Sequence, residues 1–139
     1  MADPSGYTTK SSPSPVAETV ERLRTLMTER GMTIFATIDQ RAAAREAGLD
    51  LRETVLILFG SPLAGTPVMD AVPLAALDLP LKVLVWDQDG RTLVSYLSPA
   101  ALTARYGLPA SLAAPLAGID QLTDAALMSD TEGDDPARP

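Results

Sequence analysis

The chain has 139 residues, enough for one hydrophobic core and too few for two of ordinary size, and its 46% apolar and 21% charged residues mark a globular rather than a disordered balance. A formal charge of −7 opposes nucleic-acid binding, because neutralising phosphates takes clustered Lys and Arg. With neither cysteine nor histidine, disulfides, thiolate chemistry, Cys-based zinc sites and the commonest neutral-pH base are excluded, so any catalysis must run on Asp, Glu, Lys, Tyr, Ser or Thr.

Residues 1–15 are polar and Ser/Pro-rich without an apolar signal region, and the strongest apolar run, residues 55–59, is far short of the roughly 20 needed to span a bilayer. A soluble cytoplasmic protein with no cofactor and no membrane partner is expected. The predicted organisation is a flexible N-terminus over residues 1–5, a single α+β domain over 6–128 and a disordered acidic tail over 129–139. That tail sets Asp130, Glu132, Asp134 and Asp135 against Arg138.

Residues 6–11 (GYTTKS) carry β-branched and aromatic side chains suited to a short strand. Ser14 as N-cap and Pro15 at the first helical position then open an amphipathic helix, with Val16, Val20, Leu23 and Met27 at helical spacing and Gly31 as the stop. Residues 32–38 alternate, which predicts a strand with Ile34, Ala36 and Ile38 on its core face and Thr33, Phe35 and Thr37 on the other. Asp39 is placed to cap a short Ala-rich helix closing at Gly48. Residues 52–59 are apolar on both faces over 55–59 and predict a central strand covered on both sides.

Beyond Gly60-Ser61-Pro62, a loop is expected to feed a helix of about two turns, with Thr66 as N-cap, Pro67 first and an end near Pro73. Residues 81–87 and 91–97 flank Asp87-Gln88-Asp89-Gly90, and Asp-Gly between apolar runs is a strong hairpin signal. Ser98-Pro99 opens a helix to Tyr106, closed by Gly107. A last helical stretch over 111–128 carries Leu112, Leu116, Ile119, Leu122 and Leu127, and Pro115 and Gly118 are expected to kink or divide it.

These elements describe an antiparallel α+β sheet with helices packed on one face. Phe35, alternate residues of 55–59, Leu84 and Trp86 are then expected on the other face, and an apolar sheet face of several hundred Å² is rarely left to water. A homodimer that buries it, or a ligand cavity roofed by loops, follows. Trp86 and Tyr96 are expected to act as an aromatic pair, at a subunit contact rather than in a pocket. The candidate interface is therefore Phe35, Leu84, Trp86 and Tyr96.

Several runs fall in a familiar order: Phe35-Ala36-Thr37-Ile38-Asp39, Phe59-Gly60-Ser61-Pro62, Gly65-Thr66-Pro67-Val68-Met69, Leu77-Asp78-Leu79-Pro80-Leu81-Lys82 and Val85-Trp86. With them the chain resembles the Domain of Unknown Function family 302 from about residue 7 to about residue 127. The resemblance implies an architecture similar to that of the TATA-box-binding protein, commonly dimeric, and no assigned reaction. Where the family often carries His, Asn and His, this chain has Gln40, Ser61 and Tyr106, so a metal or proton role for those histidines does not transfer.

The 60–66 loop suggests an anion cradle, yet it matches neither G-x-x-x-x-G-K-[ST] nor G-x-G-x-x-G, and a structural turn is the preferred reading. Lys82, beside core-facing Val83, is expected on the opposite face with Leu84 and Trp86, paired with Asp39 or Asp78 or touching a ligand. Asp39, Glu53, Asp78 and Asp87 are too scattered for a calcium loop, and no metal is expected. The candidate ligand-binding set is Asp39, Gly60, Pro62, Gly65, Thr66, Asp78 and Lys82. It predicts a homodimeric module that binds a small molecule or a protein. The alternative is an enzyme using Lys82 and a nearby carboxylate on a small organic substrate.

Overall fold

The computed structural model describes residues 5–128. The expected acidic tail and, apart from Ser5, the expected flexible N-terminus lie outside the described residues. In chain order the elements are β1 (Tyr7–Ser12), α1 (Val16–Glu29), β2 (Thr33–Asp39), α2 (Gln40–Glu46), β3 (Thr54–Gly60), α3 (Pro62–Ala71), a 3-10 turn (Pro73–Leu77), β4 (Leu81–Gln88), β5 (Arg91–Leu97), α4 (Pro99–Tyr106), α5 (Ala110–Ala113), a second 3-10 turn (Ala114–Leu116) and α6 (Ile119–Ala126). The strands form one antiparallel sheet in the order β1-β5-β4-β3-β2. The fold is α+β, as the element pattern predicts.

Helices α1 and α6 lie side by side on one sheet face because their apolar stripes need cover. Val16, Val20, Leu23 and Met27 of α1 and Ile119, Leu122 and Ala126 of α6 close over Ile57, Phe59, Val83, Val85, Val94 and Tyr96. Burying a large apolar side chain contributes about 1.5–3 kcal/mol, so this layer is the main source of stability. A second cluster, Val68, Ala75, Leu102, Leu108 and Leu116, caps one end of the sheet and meets it through Leu81 and Leu97. It gathers α3, α4 and both 3-10 turns at the end where β3 finishes and β4 begins.

The β4–β5 hairpin forms as its turn chemistry requires. Asp89 and Gly90 both have positive φ (53° and 88°), and the Asp87 carboxylate accepts the Gly90 N–H. Gly90 is suited to that conformation, which costs other L-residues about 1–2 kcal/mol. Ser98 caps α4 through the Ala101 N–H, and Gly107 closes it in the left-handed region. Pro115 and Gly118 divide the last helical stretch into α5, a 3-10 turn and α6.

Other expectations are corrected. A bulge between Ile34 and Ala36 inserts Phe35 as an unpaired residue and reverses the face of everything after it. Ile34 stays on the helix side, whereas Ala36 and Ile38 turn to the open face opposite Leu58 and Leu56. Strand β4, not β3, is central, and β3 is covered on one side: Ile57 and Phe59 are fully buried and Leu56 and Leu58 only half-buried. Helix α3 begins at Pro62 after Ser61, so Thr66 is no cap and Pro67 lies within the helix. Pro15 rather than Ser14 stands at the N-cap of α1, and the Ser14 N–H instead donates to the Ser12 hydroxyl.

Tyr96 does not share a face with Trp86. The β4–β5 register sets Ser95 opposite Leu84, so Ser95 points to the open face and Tyr96 turns under the helices, 3% exposed. The Trp86 indole N–H donates to the Ser95 hydroxyl at 3.0 Å instead.

Candidate functional site

Two cavities open at the capped end of the sheet. The first, about 220 Å³, lies between the Phe35 bulge, the start of α3 and the segment leading into α6. Its wall includes Met32, Phe35, Gly60, Pro62, Gly65 and Met69, and Ser61 is the only lining residue with a polar side chain. The bulge swings Phe35 out to 55% exposure beside Gly60, and Gly60, Gly65 and Gly118 line the space without side chains. A hydroxyl and an apolar wall select by shape and apolar contact, and they offer no general acid or base.

The second cavity is a groove of about 290 Å³, with Tyr7, Leu56, Lys82, Leu84, Ser95 and Leu97 along it from the open face, that reaches Leu81, Tyr96, Leu102 and Ile119 at the end of the sheet. Asp78, ahead of β4, and Arg105, in the last turn of α4, close one end. The register explains the grouping: Thr9, Ser95, Leu84 and Leu56 make one row across four strands, and the Tyr7–Leu97 pair lies two residues along on the same face. Lys82 projects opposite Leu58 and is exposed.

Asp78 is held by its neighbours. The Tyr106 hydroxyl donates to Oδ2, and Arg105 donates to the same oxygen at 2.9 Å. The Tyr106 hydrogen bond, opposed by partial burial and reinforced by Arg105 and the charge of Lys82, keeps the Asp78 carboxyl below its ordinary pKa. The same bond pushes the Tyr106 phenol up.

A further polar cluster ties the edge strand to α6. Lys10 pairs with Asp124 at 2.8 Å, donates to the Thr123 hydroxyl and the Asp120 carbonyl, and sits 5.4 Å from the Tyr96 ring centre. The Tyr96 hydroxyl donates to the Asp120 carboxylate. Burial first, and then that hydrogen bond, raise the Tyr96 phenol. Burial opposes the Lys10 charge, but the bonds to Asp124 and Tyr96 prevail and its pKa is raised.

The predicted ligand set is thus divided. Gly60, Pro62 and Gly65 line the apolar cavity, and Asp78 and Lys82 line the groove. Thr66 is exposed and lines neither. Asp39 caps α2 by accepting the Ala42 N–H at 2.9 Å, in a shallow depression with Arg41, Arg45 and Glu53. It pairs with Val55, roughly 17 Å along β3 from Gly60 at about 3.4 Å per residue, so it belongs to neither cavity. Lys82 therefore neighbours Asp78, not Asp39. Of the predicted interface, Leu84 and Trp86 are on the open face, Phe35 is at the cavity mouth and Tyr96 is in the core.

Sequence reasoning missed Met32, Met69, Tyr7, Ser95 and Arg105. Arg105 had a faint signal, a cation in the last turn of a helix, but its partner Asp78 is 27 residues away. Among the described residues, no group of three or more Asp or Glu converges to hold a metal.

Comparison with known proteins bears on the fold and the family. The crystal structure of uncharacterized conserved protein DUF302 from Bacillus stearothermophilus superposes with a TM-score of 0.74 at 24% identity, covering 88% of this chain and 95% of that one, so the fold is shared. The chain is also 41% identical over 105 residues to proteins named fluoride-specific ion channel FluC 1 in Brucella suis biovar 1 (strain 1330) and Brucella abortus biovar 1 (strain 9-941). Those matches cover 75% of this chain but only 41% and 39% of the relatives, so the chain spans about two fifths of the length of the curated relatives it matches. A family described as "Domain of unknown function DUF302" matches residues 7–126, nearly the whole described domain. The chain therefore belongs to the DUF302 family, whose description assigns no reaction.

Proposed function

We propose that this chain is a binding module whose cavity beside α3 takes a small, neutral, apolar molecule, and that it runs no reaction of its own. The observation that carries this reading is the cavity wall, apolar apart from Ser61 and including three glycines, Gly60, Gly65 and Gly118. Met32 and Met69 add flexible thioethers that adapt to a guest. At about 220 Å³ the space exceeds the roughly 150 Å³ that admits benzene in an engineered cavity, so a substituted ring or short chain fits. The test is a thermal-shift panel of neutral aromatics and short alkanols. Stabilisation of the natural protein, lost in Gly65→Leu, supports the reading, and no stabilisation at millimolar concentration contradicts it.

Assembly is part of this proposal. Leu84 and Trp86, with Leu56 and Leu58, give the open face the apolar surface for a second copy. Light scattering at micromolar concentration showing only monomer would count against it.

Catalysis by Lys82 with a carboxylate has one point in its favour, that Lys82 and Asp78 share the groove. Asp78 is already engaged by Tyr106 and Arg105, however, and Lys82 is open to water. A borohydride-trapped adduct on Lys82 would restore the enzymatic reading.

A second reading rests on the relatives named fluoride-specific ion channels, which contain a stretch like this chain within a longer protein. Domains joined in one protein often work together, so this module is proposed to act beside a fluoride channel. No described helix is long and apolar enough to cross a membrane. Exposed Leu63, Leu74 and Leu77, on α3 and the following 3-10 turn, offer apolar contacts for such a partner. Biolayer interferometry against a purified fluoride channel in nanodiscs tests this, and absence of binding at tens of micromolar contradicts it.

A further inference from the structure

We propose that the groove on the open face, at its Tyr7–Lys82 end, is a second binding site, selective for an amphipathic monoanion: a carboxylate on a short apolar body. This goes beyond the apolar cavity. The two lining sets have only Leu81 and Ile119 in common.

The argument begins with charge. The chain carries −7 overall, yet this end of the groove holds two cations, Lys82 and Arg105, against the single carboxylate of Asp78. Asp78 is committed: Arg105 and Tyr106 both donate to its Oδ2. Arg105 is thereby fixed through one nitrogen, and Lys82, exposed and in no ion pair among the described residues, supplies the uncompensated positive charge. A local excess of one cation suits one carboxylate, which an ammonium recognises as a compact point charge with strong charge-assisted hydrogen bonds.

The floor decides the rest of the ligand. Leu56, Leu84 and Leu97 form it, and an inorganic anion would leave those leucines wet. A chain or ring attached to the carboxylate covers them. Ser95 is occupied, since its hydroxyl accepts from the Trp86 indole and bonds Thr9 at 2.8 Å, so it serves as wall rather than as head-group donor. Leu56 and Leu84 also belong to the surface proposed for a second copy, so ligand and second copy compete for this groove.

Trp86 is the only tryptophan in the chain and is hydrogen-bonded to a residue of the groove, so its emission reports occupancy. Octanoate is titrated against octanamide, up to about 10 mM, with thermal unfolding as a control on the fold. Octanoate is expected to saturate, to bind roughly tenfold tighter than octanamide and to weaken with salt. Lys82→Met should remove that tenfold preference while leaving octanamide binding and folding unchanged, and Lys82→Arg should keep it. Equal binding of acid and amide, undiminished octanoate binding by Lys82→Met, or no saturation overturns the proposal. Gly65→Leu should leave octanoate binding intact. If instead it abolishes binding, the ligand occupies the apolar cavity, and this proposal falls while the proposed function stands.

Discussion

Replacing Gly65 by alanine probes the free space of the cavity beside α3. Gly65 is buried inside α3, and a Cβ built there meets Met69 Cε at 3.8 Å and Leu79 Cδ1 at 3.9 Å, ordinary van der Waals contacts. Its backbone lies outside the left-handed region, so alanine enters without strain. Glycine within a helix costs roughly 0.5–1 kcal/mol relative to alanine, chiefly through the freedom it regains on unfolding. The methyl lines the cavity rather than filling it, so it adds only part of the roughly 0.8 kcal/mol of a buried methylene. Gly65→Ala is therefore expected to stabilise by about 0.5–1.5 kcal/mol, or roughly 2–6 °C in Tm for a domain of this size. Calorimetry and urea unfolding with an unchanged m-value are the assays. Destabilisation by more than about 0.5 kcal/mol would mean that the space beside Gly65 is already filled, and the cavity argument would fail with it.

Phe59→Ala removes a fully buried ring from beneath α1 and should cost about 3–5 kcal/mol in chemical denaturation, against under about 1 kcal/mol for truncation of exposed Leu63. Asp78→Asn tests the carboxylate held by Tyr106 and Arg105. Because the folded carboxyl sits below its usual pKa, its stabilisation is present above the unfolded value near 4 and lost as pH falls through the folded value. The stability gap between wild type and variant should be largest near pH 7 and close below about pH 4; a gap that widens in acid would refute the assignment. Lys10→Met should lower stability by about 1 kcal/mol and speed hydrogen exchange in β1, since Lys10 ties that edge strand to α6. Unchanged exchange would show that backbone pairing alone holds the strand.

Legibility followed the range of the interactions. The caps of α2 and α4, the Asp89-Gly90 turn and the break at Pro115 and Gly118 each depend on a few neighbouring residues, and each stands where its chemistry predicts. Two of the errors fall where a distant partner decides. Phe35 looks like one step of a regular alternation until pairing with β3 leaves it unmatched. Tyr96 and Trp86 look like a pair until the hairpin register turns them to opposite faces. The third error is local: Thr66-Pro67 reads as a helix start, yet Ser61-Pro62, five residues earlier, had already opened that helix.

By itself, the chain's residue order settled the kind and approximate extent of most elements, the family, and the loss of histidine and cysteine chemistry. Those properties rest on local hydrogen bonding, apolar periodicity and composition. The strand order, the end-capping second cluster and both cavities were decided by tertiary packing. The groove draws residues 7, 56, 82, 97 and 105 from separate elements, and no local signal ties them together. Registers are chosen by the burial won across the whole sheet, where a one-residue shift moves a side chain from core to surface.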